Sequence, residues 1–331
     1  MLSTTLRSYD VDPLAIIDDY NTILQCPREN DTVDEWNQWY KQVACYIHQF
    51  DLVANPHGIF RNPTKDKLLI HGHLKPPPPP PKDETFGIDL ASIITFEGII
   101  MAGSPIGTDE FMLNYVLTKV EAANEKTSKV AALCPDQVQL ALAMISTGTS
   151  HSLDFLIRLT PTAPIVDALR EFDSFTATTV MNIICPPEIM DRLPQRKVKL
   201  AYTLLSLSFK YNGLGLLPRI ELGPMAFISS IVAASSDTQF RKYKAHLESH
   251  VLDAYNRYIR TTTLDVNRRS PVSLIIPDDH SKLLDTAHAT RLKQTFHSQN
   301  GIMSTLTAFY EQTVLNQLKQ SVLPGDDVEP S

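Results

Sequence analysis

Residues 96–112, FEGIIMAGSPIGTDEFM, mark where the chain changes its period. Within the wider run IDLASIITFEGIIMAGSPIG, β-branched clusters lie around Gly98 and Gly103, the pattern of a hairpin or of two short strands. From Asp109 onward apolar residues recur at helical spacing almost to the end. The spacing predicts helices over 109–126, 136–146, 150–159, 164–175, 195–209, 224–234, 239–260, 281–297 and 303–320. Asp136, Ser150 and Ser281 stand where N-caps belong. Prolines at 135, 161, 164, 186, 187, 194, 218 and 224 fall at or near the breaks between these segments. A short extended stretch leading into a long helical one gives an α+β chain with a mainly α-helical second part.

Working upstream, the strongest compositional break is HLKPPPPPPKDE, whose six consecutive prolines, Pro76 to Pro81, favour a polyproline II rod. It reads as a semi-rigid spacer or surface loop, or as a ligand for a proline-binding domain. Before it, Trp36, Trp39 or Tyr40, Val43, Tyr46, Ile47 and Phe50 recur at helical spacing in VDEWNQWYKQVACYIHQF, so a helix is expected there. Earlier still comes DPLAIIDDYNTIL, residues 12–24. Its two apolar runs are strand-like, and Asp18 and Asp19 would be the two-residue turn between them.

The 331 residues, 43% of them hydrophobic, suffice for about two domains. A formal charge of -7 means that contact with nucleic acid must come from a local basic patch. Two such clusters occur in the helical part: Arg196, Lys197 and Lys199, then Arg241, Lys242 and Lys244. On helices they could track a phosphate backbone, with Tyr243, Tyr255 and Tyr258 nearby for stacking. The four cysteines are widely spaced and read as reduced, mostly buried thiols. The N-terminus has no signal-peptide pattern and no segment reaches about 18 uninterrupted apolar residues, so a cytoplasmic or nuclear protein with no membrane partner is expected.

Three groups offer chemistry. Asp18 and Asp19 could share a hard cation, since magnesium is held by one or two carboxylates together with phosphate oxygens. His71 and His73 lack an evident third ligand and read as a surface pair. Asp278, Asp279 and His280 precede a predicted helix, where capping explains the carboxylates.

In order, these features resemble the reverse transcriptase of non-LTR-type retroelements. AIIDDYNTIL is similar to the palm motif in which an apolar residue and any residue precede two aspartates. GIFRNPTKDKLLI resembles the next palm motif, with Gly58, Ile59, Asn62 and Lys65 on its pattern. FEGIIMAGSPIGTDEFM resembles the hairpin that grips the primer, with Gly98, Gly103, Pro105, Ile106, Gly107, Asp109, Glu110 and Phe111 matching. HSLDFLIRLTPT and LSFKYNGLGLLP are similar to the thumb and linker, except that Asn212 replaces the first glycine of GGLGL. The resemblance covers residues 14–235.

It implies a partial palm over 1–75, a polyproline linker over 76–84, a primer-grip hairpin over 85–108, a helical thumb and linker over 109–260, and C-terminal helices with a frayed tail over 261–331. It further implies RNA-directed DNA polymerase ancestry, a nucleotidyltransferase from a retrotransposon, with magnesium on Asp18 and Asp19. Lys65 would lie near the phosphates, where it could supply charge and a proton. Gly103 and Gly107 would shape the primer-grip turn. The expected partner is an RNA/DNA template-primer. The family's other metal-binding aspartate and its fingers lie well upstream of the counterpart of Asp18, and this chain starts 17 residues before that position. The expectation is therefore a fragment inactive alone. The alternative is a non-catalytic helical protein that binds protein or nucleic acid.

Overall fold

The structure is a computed structural model, describing residues 11–16, 19–24, 27, 31–58, 60–62, 65–70, 77–81, 86–134, 136–234, 249–254, 256–257 and 299–321. The first two segments are described by backbone alone. The chain divides into two compact units, Met1–Met112 and Leu113–Ser331. It is mostly helical, and the described residues include three two-stranded sheets, as the α+β reading expects.

In the first unit, β1 (Val11–Ile16) pairs antiparallel with β2 (Asp19–Leu24). Helix α1 (Val33–Ala54) starts at a capping box that the sequence reading missed: the Thr32 hydroxyl accepts from Glu35 N at 3.3 Å, and Thr32 N donates to the Glu35 carboxylate at 2.6 Å. Its expected apolar stripe is buried at Trp36, Trp39, Tyr40, Val43 and Tyr46. The parallel pair β3 (Leu68–Leu69) and β4 (Ile94–Thr95), with α2 (Leu90–Ile93), closes over that stripe through Ile70, Leu90 and Ile93. Then β5 (Gly98–Met101) and β6 (Ser104–Gly107) form the expected hairpin. Helix α3 (Asp109–Ala131) follows at once, and the unit boundary falls in its first turn.

The second unit continues with α4 (Val138–Thr147), α5 (Asp154–Leu159), α6 (Thr162–Ile184), α7 (Pro187–Met190), α8 (Gln195–Ser206), α9 (Arg219–Ala234) and α10 (Gln299–Ser321). Val138–Leu159 has the length and mean hydropathy, 1.2, of a membrane-crossing helix. The chain breaks at Gly148, however, and Ala141, Ile145, Leu153, Leu156 and Ile157 face the core. Two expected caps are absent. The cap of α4 is Gln137 rather than Asp136, and the Ser150 hydroxyl donates back to the Ser146 carbonyl at 3.0 Å instead of capping α5. Cys45, Cys134 and Cys185 are free but only half-buried; Cys45 flanks the stripe of α1 rather than joining it. Of the expected helix over 239–260, residues 249–254, 256 and 257 are described as helical; Ser281 and the helix over 281–297 lie outside the described residues.

The largest departure is α9. It starts at Arg219, five residues before the expected start at Pro224, and eleven of its sixteen residues are buried. The cause lies on α6. The Asp173 carboxylate accepts Arg219 N at 2.6 Å and Ile220 N at 2.8 Å, an N-cap supplied from 46 residues away. Arg219 itself is 2% exposed. Its guanidinium pairs with Asp154 at 2.9 Å and donates to the carbonyls of Leu217, at 2.6 Å, and of Ser150. His151 Nδ1 lies 2.7 Å from the other Asp154 oxygen. On α10, Glu311 accepts Ser208 N at 2.8 Å. Burial pushes the Tyr310 phenol upward, and the carboxylates of Glu221 and Asp173 push it further.

Burial raises the Asp173 acid from 3.8 to about 6, against the lowering effect of the two backbone donors and of Arg219. Between those values the folded chain keeps a proton that the unfolded chain has lost, so this group's contribution to stability falls as pH rises through the window. The full effect is about 3 kcal/mol at ~1.4 kcal/mol per pH unit. Asp173→Asn removes this titration. Urea unfolding followed by circular dichroism should show the stability gap between wild type and Asp173→Asn narrowing from about pH 4 to about pH 6; a gap that stays constant contradicts the assignment.

Candidate functional site

In the first hairpin the register pairs Ile16 with Asp19 and Val11 with Leu24. Two residues therefore separate the strands, as expected, but they are positions 17 and 18 rather than 18 and 19. Asp19 joins the ladder as the first residue of β2, and Asp18 lies outside the described residues. Register is fixed by where the turn sits, so a one-residue displacement of the turn moves one aspartate into the strand. Two adjacent carboxylates suit magnesium, which takes its remaining ligands from phosphate and water. Among the described residues no group of three His, Cys, Asp or Glu side chains comes together to hold a metal. His71, His73 and His280 lie outside the described residues.

Lys65 is exposed on a turn whose backbone closes through Lys65 N to the Asn62 carbonyl at 2.9 Å. That turn is anchored by Arg61. Its Nε lies 3.1 Å from both Asp51 carboxylate oxygens, its Nη2 lies 3.0 Å from one of them, and its Nη1 meets Asp66. A planar guanidinium can hold two carboxylates in a fixed fork, so the end of α1 and the Lys65 turn are tied together. The sequence reading missed this clamp; two aspartates near a lone arginine were its only trace.

The second hairpin explains its own motif. Ala102 and Gly103 have φ of 48° and 79°, the positive pair that a type I′ turn requires. At its open end Gly98 faces Gly107. A Cβ on Gly98 would overlap the Phe111 ring, and one on Gly107 would overlap the Glu97 carbonyl and the Gly98 backbone. Thr108 N donates to the Glu97 carbonyl at 2.7 Å. The Thr108 hydroxyl then accepts Phe111 N at 3.2 Å, while Asp109 and Glu110 occupy the first turn of α3, where carboxylates favour the helix dipole. So GSPIGTDEF encodes a strand, a steric contact and a cap in nine residues. Phe96 and Ile100 leave apolar surface exposed beside it.

In the second unit, Arg196, Lys197 and Lys199 are exposed on the first two turns of α8, a helix with no acidic residue in its first turn. Cations at that end oppose the helix dipole. Arg241, Lys242 and Lys244, with Tyr243 and Tyr255, lie outside the described residues. Asn212 has φ of 61°, a left-handed conformation that asparagine tolerates, so it keeps the backbone that a glycine there would adopt. A groove of about 450 Å³ beside Cys134, Thr179 and Asn182 has no acid–base pair in its lining. The strongly perturbed Asp173 is committed to capping α9, which argues against a role as a catalytic base.

No family model, curated protein or solved structure matches the chain.

Gly107→Ala should destabilise the first unit by about 2 to 3 kcal/mol, because both the backbone conformation and the close approach forbid a Cβ. Gly87→Ala, at φ +65° with open space around it, should cost about 1 kcal/mol. Urea unfolding followed through Trp36 and Trp39, the two tryptophans of the chain, measures both; equal costs contradict the steric account.

Proposed function

We propose that this chain is part of a reverse transcriptase of a non-LTR-type retroelement, running from the palm Asp-Asp motif through primer grip, thumb and linker, and that it binds an RNA/DNA template-primer. The observation that carries the reading is an ordered series. A hairpin with a two-residue loop at Asp18 comes first, then a long amphipathic helix, an anchored turn bearing Lys65, and a glycine-built hairpin running straight into another long helix. Each element falls where the matching motif stands in the sequence.

In this reading Asp18 and Asp19 would hold magnesium, which when bound offsets negative charge developing on transferred phosphate. Lys65 contributes a cation on the same unit. The Gly98–Gly107 hairpin presents a narrow backbone ribbon with Phe96 and Ile100 exposed, a shape suited to the sugar edge of a primer terminus. Arg196, Lys197 and Lys199 neutralise phosphates along the duplex. The activity proposed for these 331 residues is duplex binding.

Binding to a short RNA/DNA hybrid, measured by fluorescence anisotropy across a salt series, tests this. Each neutralised phosphate contributes about 0.9 to the slope of log K against log salt, so replacing Arg196, Lys197 and Lys199 by alanine should weaken binding and reduce the slope by about 2 to 3. An unchanged slope, or no binding by the wild-type chain, contradicts the proposal.

A further inference from the structure

Five of the six consecutive prolines, Pro77–Pro81, are described, and their burial has a pattern. Pro77 and Pro78 are half-buried, Pro79 is exposed, and Pro80 and Pro81 are half-buried again. A polyproline II helix has three residues per turn, so residues three apart share one edge of the rod. Pro77 and Pro80 form one edge, Pro78 and Pro81 a second, and Pro79 lies on the third. Burial thus follows the three-residue period of such a rod: two edges are half-buried and one faces water. A spacer that merely crossed the surface would have no reason to repeat in this way.

Such a rod offers one kind of polar handle. Proline has no N–H, and polyproline II carbonyls make no internal hydrogen bonds. The Pro78 carbonyl, on a shielded edge, accepts a hydrogen bond of 2.9 Å from Tyr40 Oη on α1. Tyr40 is 1% exposed, and burial raises its phenol above the ordinary 10.0, so the hydroxyl stays a donor at neutral pH. The Tyr40 ring lies 5.9 Å from Trp36 and 5.3 Å from Trp39, and the two indoles meet edge to face at 5.7 Å. Aromatic rings with a donor aimed at a proline carbonyl are the chemistry by which proline-binding domains hold polyproline II ligands. Here receptor and ligand lie in the same unit.

We infer that Tyr40, held in place by the Trp36 and Trp39 rings of the core, is the anchor of a polyproline II site whose ligand is the chain's own Pro77–Pro81, held in cis. The tether keeps the local concentration of the rod high, so a competing ligand in trans meets an occupied site. It follows that the run, which by sequence alone looks available to a proline-binding partner, is withheld while seated.

The test uses an isolated WW domain that binds plain polyproline, titrated separately with a synthetic peptide of residues 74–83, the full chain, and full-length Tyr40→Phe. Apparent affinity scales with the fraction of rods unseated, so the peptide should bind at least about tenfold more tightly than the wild-type chain. Tyr40→Phe keeps the ring and loses only the hydroxyl. Its affinity should move about fivefold toward that of the peptide, the effect of one neutral hydrogen bond. Equal binding by peptide and wild-type chain overturns the inference whether or not the variant folds, and so does a folded Tyr40→Phe that binds no more tightly than wild type.

Discussion

A carboxylate on one helix supplies the cap of another, and the second unit is arranged around that link. Eleven of the sixteen residues of α9 are buried, Arg219 at its start among them, so its first N–H groups need partners within the protein. Asp173 satisfies two of them. Because α9 begins there, Arg219 is drawn into the interior, and a buried guanidinium is tolerated only with partners around it. Asp154 supplies the counter-charge, and the Arg219 guanidinium donates to the carbonyls of Ser150 and Leu217. The polar chain thereby reaches α5, α6 and α9, and α10 packs on the last of these, with Ser229 Oγ 3.9 Å from Met303 Sδ. Removing one member would strand the others, at a cost of about 3 to 5 kcal/mol.

The first unit uses the same logic on a smaller scale. Arg61 holds Asp51 and Asp66, and the hydroxyl of Tyr40 holds a proline carbonyl. In both places a single donor group ties an irregular segment to α1. The Lys65 turn, one of the pieces offered for function, is therefore tied to the helix that carries the unit's aromatic core. A binding surface benefits from this, since a pre-ordered loop loses less entropy when its ligand arrives.

What could be read from the sequence is whatever depends on neighbours a few residues away. The stripe from Trp36 to Tyr46 repeats every three or four residues, and it is buried as read. The switch from strand to helix at Asp109 follows from glycines, then Thr108, then two carboxylates, all local signals. The start of α9 escaped because its cap is on α6, and Pro224 looked like a natural boundary although the helix continues through it. Asp136 and Ser150 look like caps by residue type, but Ser150 is buried and turns its hydroxyl to the Ser146 carbonyl on the preceding helix, α4. The seating of the prolines depends on Tyr40, 38 residues distant, and no pattern in the proline run announces it. For the candidate site, the motif order was legible, whereas the clamp at Arg61 and the displaced turn beside Asp18 needed coordinates.

The central claim is that the glycine-built hairpin and the basic start of α8 are surfaces for a nucleic-acid duplex. Amide hydrogen exchange of the whole chain, with and without a short RNA/DNA hybrid, tests it most directly. The account predicts added protection in the Gly98–Gly107 hairpin and in the first turns of α8, with little change in α6 and α9, where the buried polar links already hold the backbone. Protection that leaves both surfaces unchanged would contradict it.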